Sequence, residues 1–193
     1  MRDEKQLIEA LKTGSEKAFR TLVDDFQEKV LNTCLGFLPN QQDAEDLTQE
    51  VFVEVFRSVG KFREEAKLST WIYRIAVTKS LEKIRSRKRQ KRVAFFQSLI
   101  GLEDNKAKAV EDKFNHPGVQ LENKERAKVL FEKIGQLPEN QRIAFTLHKV
   151  EGLSHKEVCE IMELSISSIE SLLFRAKKNL KKHLHDYYKN QLI

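Results

Sequence analysis

The sequence predicts an all-α protein: two small helical domains joined by a linker, the second carrying a helix-turn-helix. Three observations predict it. Apolar residues recur at three- and four-residue steps through most of the chain, which is the spacing of one helix face. Gly and Pro number only 7 and 3 in 193 residues, and no strand-type alternation persists, which favours a helical protein over a turn-rich β protein. The helical periodicity fades from about residue 95 to 120, where mixed charge and a Pro117-Gly118 break read as a linker. The expected boundaries are residues 1–95, a linker at 96–121, and residues 122–193.

Leu7, Ile8 and Leu11 open a short amphipathic helix, which Gly14 interrupts, and Ser15 can cap the next one. Phe19, Leu22, Val23, Phe26, Val30 and Cys34 then carry a long apolar stripe up to Pro39-Asn40. Leu47, Val51, Phe52, Val55 and Phe56 mark a third helix, ended by Gly60. Ser69 or Thr70 can cap a fourth, with Trp71, Ile72, Ile75, Ala76 and Ile84 turned inward, and it runs into KIRSRKRQKR. Beyond the linker, Ala127, Leu130, Phe131 and Ile134 begin a second array. Leu137-Pro138 breaks and restarts it, since Pro suits the first turn of a helix. Ile143, Ala144 and Leu147 form the inward face of the helix that follows.

Charged residues make up 33% and hydrophobic ones 40%, the balance of a soluble globular chain. The net charge of +6 suits an anionic partner. Cys34 and Cys159 lie far apart within apolar helical patterns, so they read as small buried hydrophobes in a reducing, cytoplasmic setting. The opening MRDEKQLIEALK is charged from its second residue, unlike a signal peptide, and no charge-free stretch is long enough to insert into a membrane. Phosphate-loop, dinucleotide and zinc-protease motifs are missing, His183 and His185 do not share a helix face, and Cys159 has no partner Cys at metal spacing. The chain is therefore not read as an enzyme, and neither metal nor cofactor is expected.

The helix-turn-helix lies in GLSHKEVCEIMELSISSIESLLFRAKKNL. Ser154 and Glu157 form an S-x-x-E capping box, and Val158, Ile161 and Met162 face inward. Glu163-Leu164 makes the turn, Ser165 caps the second helix, and Ile169, Leu173, Ala176 and Leu180 are its buried stripe. Ser167, Ser168, Glu170, Ser171, Phe174 and Arg175 project elsewhere. Short polar residues at a helix start let the backbone approach a groove, where hydroxyls reach base edges or phosphates. Arg175, Lys177, Lys178, Lys181 and Lys182 supply cations for the phosphate backbone. The second helix is thus expected to enter a major groove.

Two features of the first half narrow the reading. DAEDLTQEVFVEVF sets Asp43, Asp46, Gln49 and Glu50 on the polar side of a helix, an acidic face that suits a basic protein surface rather than DNA. Seven of the ten residues from Lys83 to Arg92 are basic, close to Phe62, Ser69, Thr70, Trp71, Tyr73 and Thr78. Cations beside aromatics and hydroxyls suit single-stranded nucleic acid, although aromatics such as Trp71 pack cores more often than they stack on bases.

Together the halves resemble the sigma factors of bacterial RNA polymerase, in particular the two-domain extracytoplasmic-function (ECF) group. DAEDLTQEVF resembles the polymerase-binding segment, F-R-x-x-x-x-L-S-T-W-I-Y-R-I-A-V the segments that open the duplex and read the minus-ten element, and LPENQRIAFTLHKVEGLSHKEVCEIM with the Ser-rich helix the reader of the minus-thirty-five element. The resemblance implies that Asp43, Asp46, Gln49 and Glu50 face core RNA polymerase. It implies that Arg63, Lys67, Ser69, Thr70, Tyr73, Thr78, Lys79, Lys83 and Arg85 serve the minus-ten DNA, duplex and melted, with the Arg63–Lys67 loop holding a flipped base. It places Ser167, Ser168, Glu170, Ser171, Phe174, Arg175 and Lys178 at the minus-thirty-five DNA, and an anti-sigma factor is a further implied partner. Thr78, Glu82, Glu163, Glu170 and Leu172 depart from common family choices and bear on sequence preference. A stand-alone helix-turn-helix regulator is the alternative, though it would not need the acidic face.

Overall fold

The computed structural model describes residues 4–38, 40–99 and 121–191, and its described residues are helical with short connections. In the first half, α1 (Glu4–Lys12), α2 (Glu16–Phe37) and α3 (Gln41–Ser58) lead through a 3-10 turn at Val59–Lys61 into α4 (Leu68–Leu99). In the second, α5 (Leu121–Gly135) precedes α6 (Glu139–Phe145), which continues as a π turn over Thr146–Val150, then α7 (His155–Met162) and α8 (Ile166–Gln191). The stretch read as a linker is entered by α4 at one end and met by α5 at the other; residues 100–120 lie outside the described residues.

Local chemistry starts α2, α3, α7 and α8, each at a side-chain cap just ahead of the helix. The Ser15 side chain accepts from the Ala18 N–H before α2, and Asn40 accepts from Asp43 N–H at 2.7 Å before α3. Each satisfies a donor that the first helical turn leaves without a partner. The fourth helix departs from expectation. It begins at Leu68, ahead of Ser69 and Thr70, and its first N–H is met by the Glu4 carboxylate at 2.9 Å. That cap comes from a residue distant in sequence, so local spacing could not reveal it, and Thr70 is buried.

Helices α2, α3 and α4 pack around Leu22, Val30, Leu35, Leu47, Val51, Val55, Ile72 and Ala76. The second half buries Phe131, Ile134, Leu147, Val158, Ile169, Ala176 and Leu180. Burying a Leu or Ile side chain is worth about 1.5–3 kcal/mol, so these stripes carry each half. Three sequence assignments change. Phe56, expected on the apolar stripe of α3, is 53% exposed and meets only the edge of the core through Phe19, with ring centres 5.1 Å apart. Leu130 is 37% exposed, because α5 turns Phe131 and Ile134 inward instead. On α8, Leu172 joins Ile169, Ala176 and Leu180 in the core, while Leu173 is only partly buried.

The halves share one continuous core. Helix α2 packs on the π turn and α4 packs on α7. Gly36 permits the first contact: a Cβ there would lie 2.5 Å from Thr146 Oγ1. Next to it the Arg142 guanidinium sits 5.3 Å from the centre of the Phe37 ring and donates to the Gly135 carbonyl at 3.0 Å.

Candidate nucleic-acid interface

The helix-turn-helix forms as its sequence demands. Glu157 N–H donates to Ser154 Oγ at 3.3 Å, and the Glu157 carboxylate accepts from the Ser154 N–H at 3.0 Å, closing the capping box. The Ser154 N–H and the Ser154 hydroxyl, which donates to the same carboxylate at 2.8 Å, hold the Glu157 carboxyl below the ordinary range, with help from Lys67. Helix α7 ends at Glu163, whose φ of 55° is left-handed. Gly is the usual residue in that conformation because it has no Cβ to clash, so a Glu here carries local strain. Ser165 then caps α8, accepting from Ser168 N–H at 3.3 Å, and its hydroxyl lies within 3.1 Å of Ser167 Oγ and 2.9 Å of Ser168 Oγ.

With Ile169, Leu172, Ala176 and Leu180 facing the core, the opposite side of α8 is open. Ser167, Glu170, Ser171, Arg175 and Lys178 are exposed, Ser168 is half-buried, and Phe174 is 73% exposed. A shallow cleft is lined by Glu170, Ser171, Phe174 and Arg175, and another by Asn140, Leu164, Ser167, Ser168, Ser171, Leu172 and Arg175. Arg175 Nε donates to the Ser171 carbonyl, which aligns the guanidinium along this face. Leu164, expected only as part of the turn, and Ile166, which the sequence did not mark, extend it as exposed apolar side chains. Leu172, which departs from the common family choice, is 9% exposed and packs into the core beneath the second cleft.

On α3 the acidic face is formed. Asp46, Gln49 and Glu50 are exposed, and Asp43 is half-buried. Its carboxylates meet cations of the neighbouring α4 in antiparallel order: Asp43 with Arg87, Glu50 with Lys83 at 2.9 Å, and Glu54 with Lys79 at 3.0 Å. The bond to Glu54 raises the Lys79 pKa above its ordinary value. Lys79 and Lys83, expected along minus-ten DNA, are thus paired within the chain.

The remaining minus-ten candidates divide. Arg63 and Thr78 are exposed and Ser69 is half-buried. Trp71 stacks on Phe62 with ring centres 5.0 Å apart, which makes it a packing residue at the edge of the core. Lys67, Tyr73 and Arg85 are all engaged by carboxylates of the second half. Lys67 pairs with Glu157 at 3.1 Å, Arg85 with Glu139 at 3.3 Å, and the Tyr73 hydroxyl donates to Glu151 at 3.0 Å. Tyr73 is buried, and both burial and the adjacent Glu151 raise its pKa. Burial pushes the Glu151 carboxyl up to about 7 against the opposing bond from Tyr73. Sequence reasoning missed Glu139, Glu151 and Glu157 as partners of this face, because only the packing of the halves brings them there. Among the described residues no cluster of three or more His, Cys, Asp or Glu is placed to hold a metal, and no helix is long and apolar enough to cross a membrane.

A capped helix-turn-helix with an open polar second helix, joined to a helical bundle with an acidic face beside a basic one, defines a promoter-recognition subunit. Residues 22–90 match the family model for Sigma-70 region 2, and residues 128–180 match that for Sigma-70, region 4. The chain is 30% identical to the RNA polymerase sigma-H factor of Pseudomonas aeruginosa over 191 residues, covering 94% of this chain and 93% of that one. It is also 30% identical to the ECF RNA polymerase sigma-E factor of Escherichia coli K12 over 172 residues, 89% of each chain. The fold is similar to that of CnrH in complex with the cytosolic domain of CnrY (TM-score 0.65, 16% identity, 95% of this chain and 97% of that one). It is similar too to the sigma factor RpoE in complex with the anti-sigma factor NepR from Bartonella quintana (TM-score 0.63, 18% identity, 88% and 98% covered). The chain belongs to the ECF group of sigma-70 family sigma factors and directs transcription initiation; the stand-alone regulator is not favoured.

Proposed function

We propose that residues 1–95 bind core RNA polymerase and read and open the minus-ten element, that 96–121 link the halves, and that 122–193 read the minus-thirty-five element. In this reading Asp43, Asp46, Gln49 and Glu50 dock on a basic surface of core polymerase. Arg63, Lys67, Ser69, Tyr73, Thr78, Lys79, Lys83 and Arg85 serve the minus-ten DNA, with Thr70, buried at the start of α4, packing beneath them. Ser167, Ser168, Glu170, Ser171, Phe174, Arg175 and Lys178 serve the minus-thirty-five groove. The chain supplies sequence selection in the cytoplasm and leaves the chemistry to the polymerase.

The observation that carries this reading is the division of α8 into a buried stripe and an open face of hydroxyls, Arg175 and Lys178. A helix so divided can rest on its own domain while its other side lies in a groove. Side chains near its start reach base edges, and cations further along neutralise phosphates. An anti-sigma factor is the further partner this reading adds, since CnrH and the Bartonella RpoE are each seen with a partner of their own.

Run-off transcription with core polymerase on a promoter library tests the proposal. A shared pair of elements upstream of the mapped starts supports it. Transcription that starts without any shared upstream element refutes it.

A further inference from the structure

The two halves meet through contacts that DNA binding by the first half does not require. Lys67, Tyr73 and Arg85, three of the groups proposed for the minus-ten element, are held by Glu157, Glu151 and Glu139. Arg74, beside Tyr73, donates to the Glu160 carbonyl of α7. The second half therefore offers carboxylate and carbonyl oxygens where phosphate and base oxygens would lie. The seam is close-fitting: Gly36 leaves room for Thr146 where any Cβ would lie 2.5 Å from its hydroxyl. At its centre is Glu151, with one oxygen on the Tyr73 hydroxyl and the other buried without a partner.

From this geometry we infer that the chain closes on itself as a masked state, in which Glu151 in its neutral form latches the second half over the minus-ten reading face, and that deprotonation of Glu151 releases it. The inference rests on the minus-ten assignment of that face. A buried carboxylate oxygen that finds no donor is unfavourable when charged, whereas the neutral acid keeps the Tyr73 bond and leaves no unpaired charge at that point of the seam. The groups around it do not reverse that preference. From α2, Lys29 favours the charged form and Glu28 opposes it; buried Cys34 lies on the same helix, Tyr73 faces it from α4, and Glu157 of α7 acts on Tyr73.

The sign follows from linkage. The Glu151 pKa in the closed state is raised to about 7 from an ordinary 4.5. Closing therefore takes up a proton, and the closed state is favoured below the ordinary value and loses that support as pH rises through about 7. Between pH ~6 and ~8 the closed-to-open ratio should fall about tenfold.

Small-angle scattering of the full chain across this pH range reads the shape, and a fluorescent single-stranded oligonucleotide carrying a minus-ten sequence reads the mask. The wild type should expand and bind the oligonucleotide more tightly as pH rises. Glu151→Gln, which keeps a neutral group in place, should stay compact throughout and abolish the pH dependence. Gly36→Ala should open the chain at low pH while strengthening α2 itself, since Ala is the better helix former. Pairing it with Thr146→Gly should restore closure by removing the atoms that the new methyl meets. A wild type whose shape does not change with pH, or a Gly36→Ala chain as compact as the wild type, overturns the latch. Expansion with unchanged oligonucleotide binding supports the latch and instead overturns the minus-ten assignment of the face it covers.

Discussion

Reversing charge on α3 separates the role of its acidic face in binding from any role in folding. Asp46→Arg combined with Glu50→Arg removes an exposed ion pair, Glu50 to Lys83 at 2.9 Å, with the two side chains 50% and 32% exposed. Pairs so open to water are worth about 0–1 kcal/mol. It also removes the Gln42 to Asp46 hydrogen bond at 3.1 Å, an exposed contact one helical turn apart. Such pairs contribute roughly 0.2–0.5 kcal/mol. Adding repulsion between the new guanidinium at position 50 and Lys83, the folded state should lose about 1–2 kcal/mol. For a chain of this length that lowers Tm by roughly 2–8 °C, so the fold survives. Against a basic partner surface, like charges brought together cost several kcal/mol. A loss of about 4 kcal/mol is close to a thousandfold in Kd. Competition binding to core polymerase and a thermal melt of the free chain measure the two effects side by side. Adding Lys83→Glu should recover most of the melting temperature and none of the polymerase affinity. Polymerase affinity within about threefold of wild type would refute the assignment of this face, and loss of the helical spectrum would refute the claim that it lies outside the core.

On α8, Lys178→Ala should weaken duplex binding for all sequences and lower the salt slope by about one unit, whereas Ser171→Ala or Arg175→Ala should relax preference at particular positions by about 1–3 kcal/mol of discrimination; binding titrations across salt and promoter variants distinguish them. Glu170→Ala should strengthen binding to every sequence without changing preference, because an exposed carboxylate near phosphates is mainly repulsive; a changed consensus at one upstream position in promoter-library transcription would show base reading instead. Ile169→Ala leaves a hole where a fully buried side chain stood, and a loss of about 2–5 kcal/mol should appear as a lower denaturant midpoint. Burial pushes the Cys34 thiol up to about 12, so a thiol reagent at pH ~8 should label Cys159 well before Cys34, and both at similar rates once the chain is unfolded.

Much of the fold was legible because helix periodicity and capping are local. The recurrence of Leu22, Val30, Val51, Val55, Ile143 and Leu147 marked inward faces that the structure buries. Ser15, Ser154 and Ser165 sit where a side-chain oxygen meets a backbone N–H three residues on, so those helix starts could be read from spacing alone. The open face of α8 followed from the same logic, once the buried stripe was assigned. Only its exact track changed, with Leu172 in place of Leu173 as the buried residue. That choice depends on which side of the helix α6 meets, and both residues are equally apolar.

Tertiary structure alone decided the rest. The start of α4 is set by Glu4, and no local pattern could link that carboxylate to Leu68 N–H across the intervening helices. The sequence distinguished two halves by their periodicity, but it could not tell whether those halves stand apart or close on one another. Closure depends on Gly36 meeting Thr146 and on Tyr73 meeting Glu151. Each is an ordinary residue in its own helix, and each gains its meaning only from a partner on the other half. The sequence by itself therefore determined the helices, their caps and the polar faces that mark a sigma factor. The packing of the halves determined which of those faces are open and which are covered, because burial and pairing between distant residues are set by the whole fold.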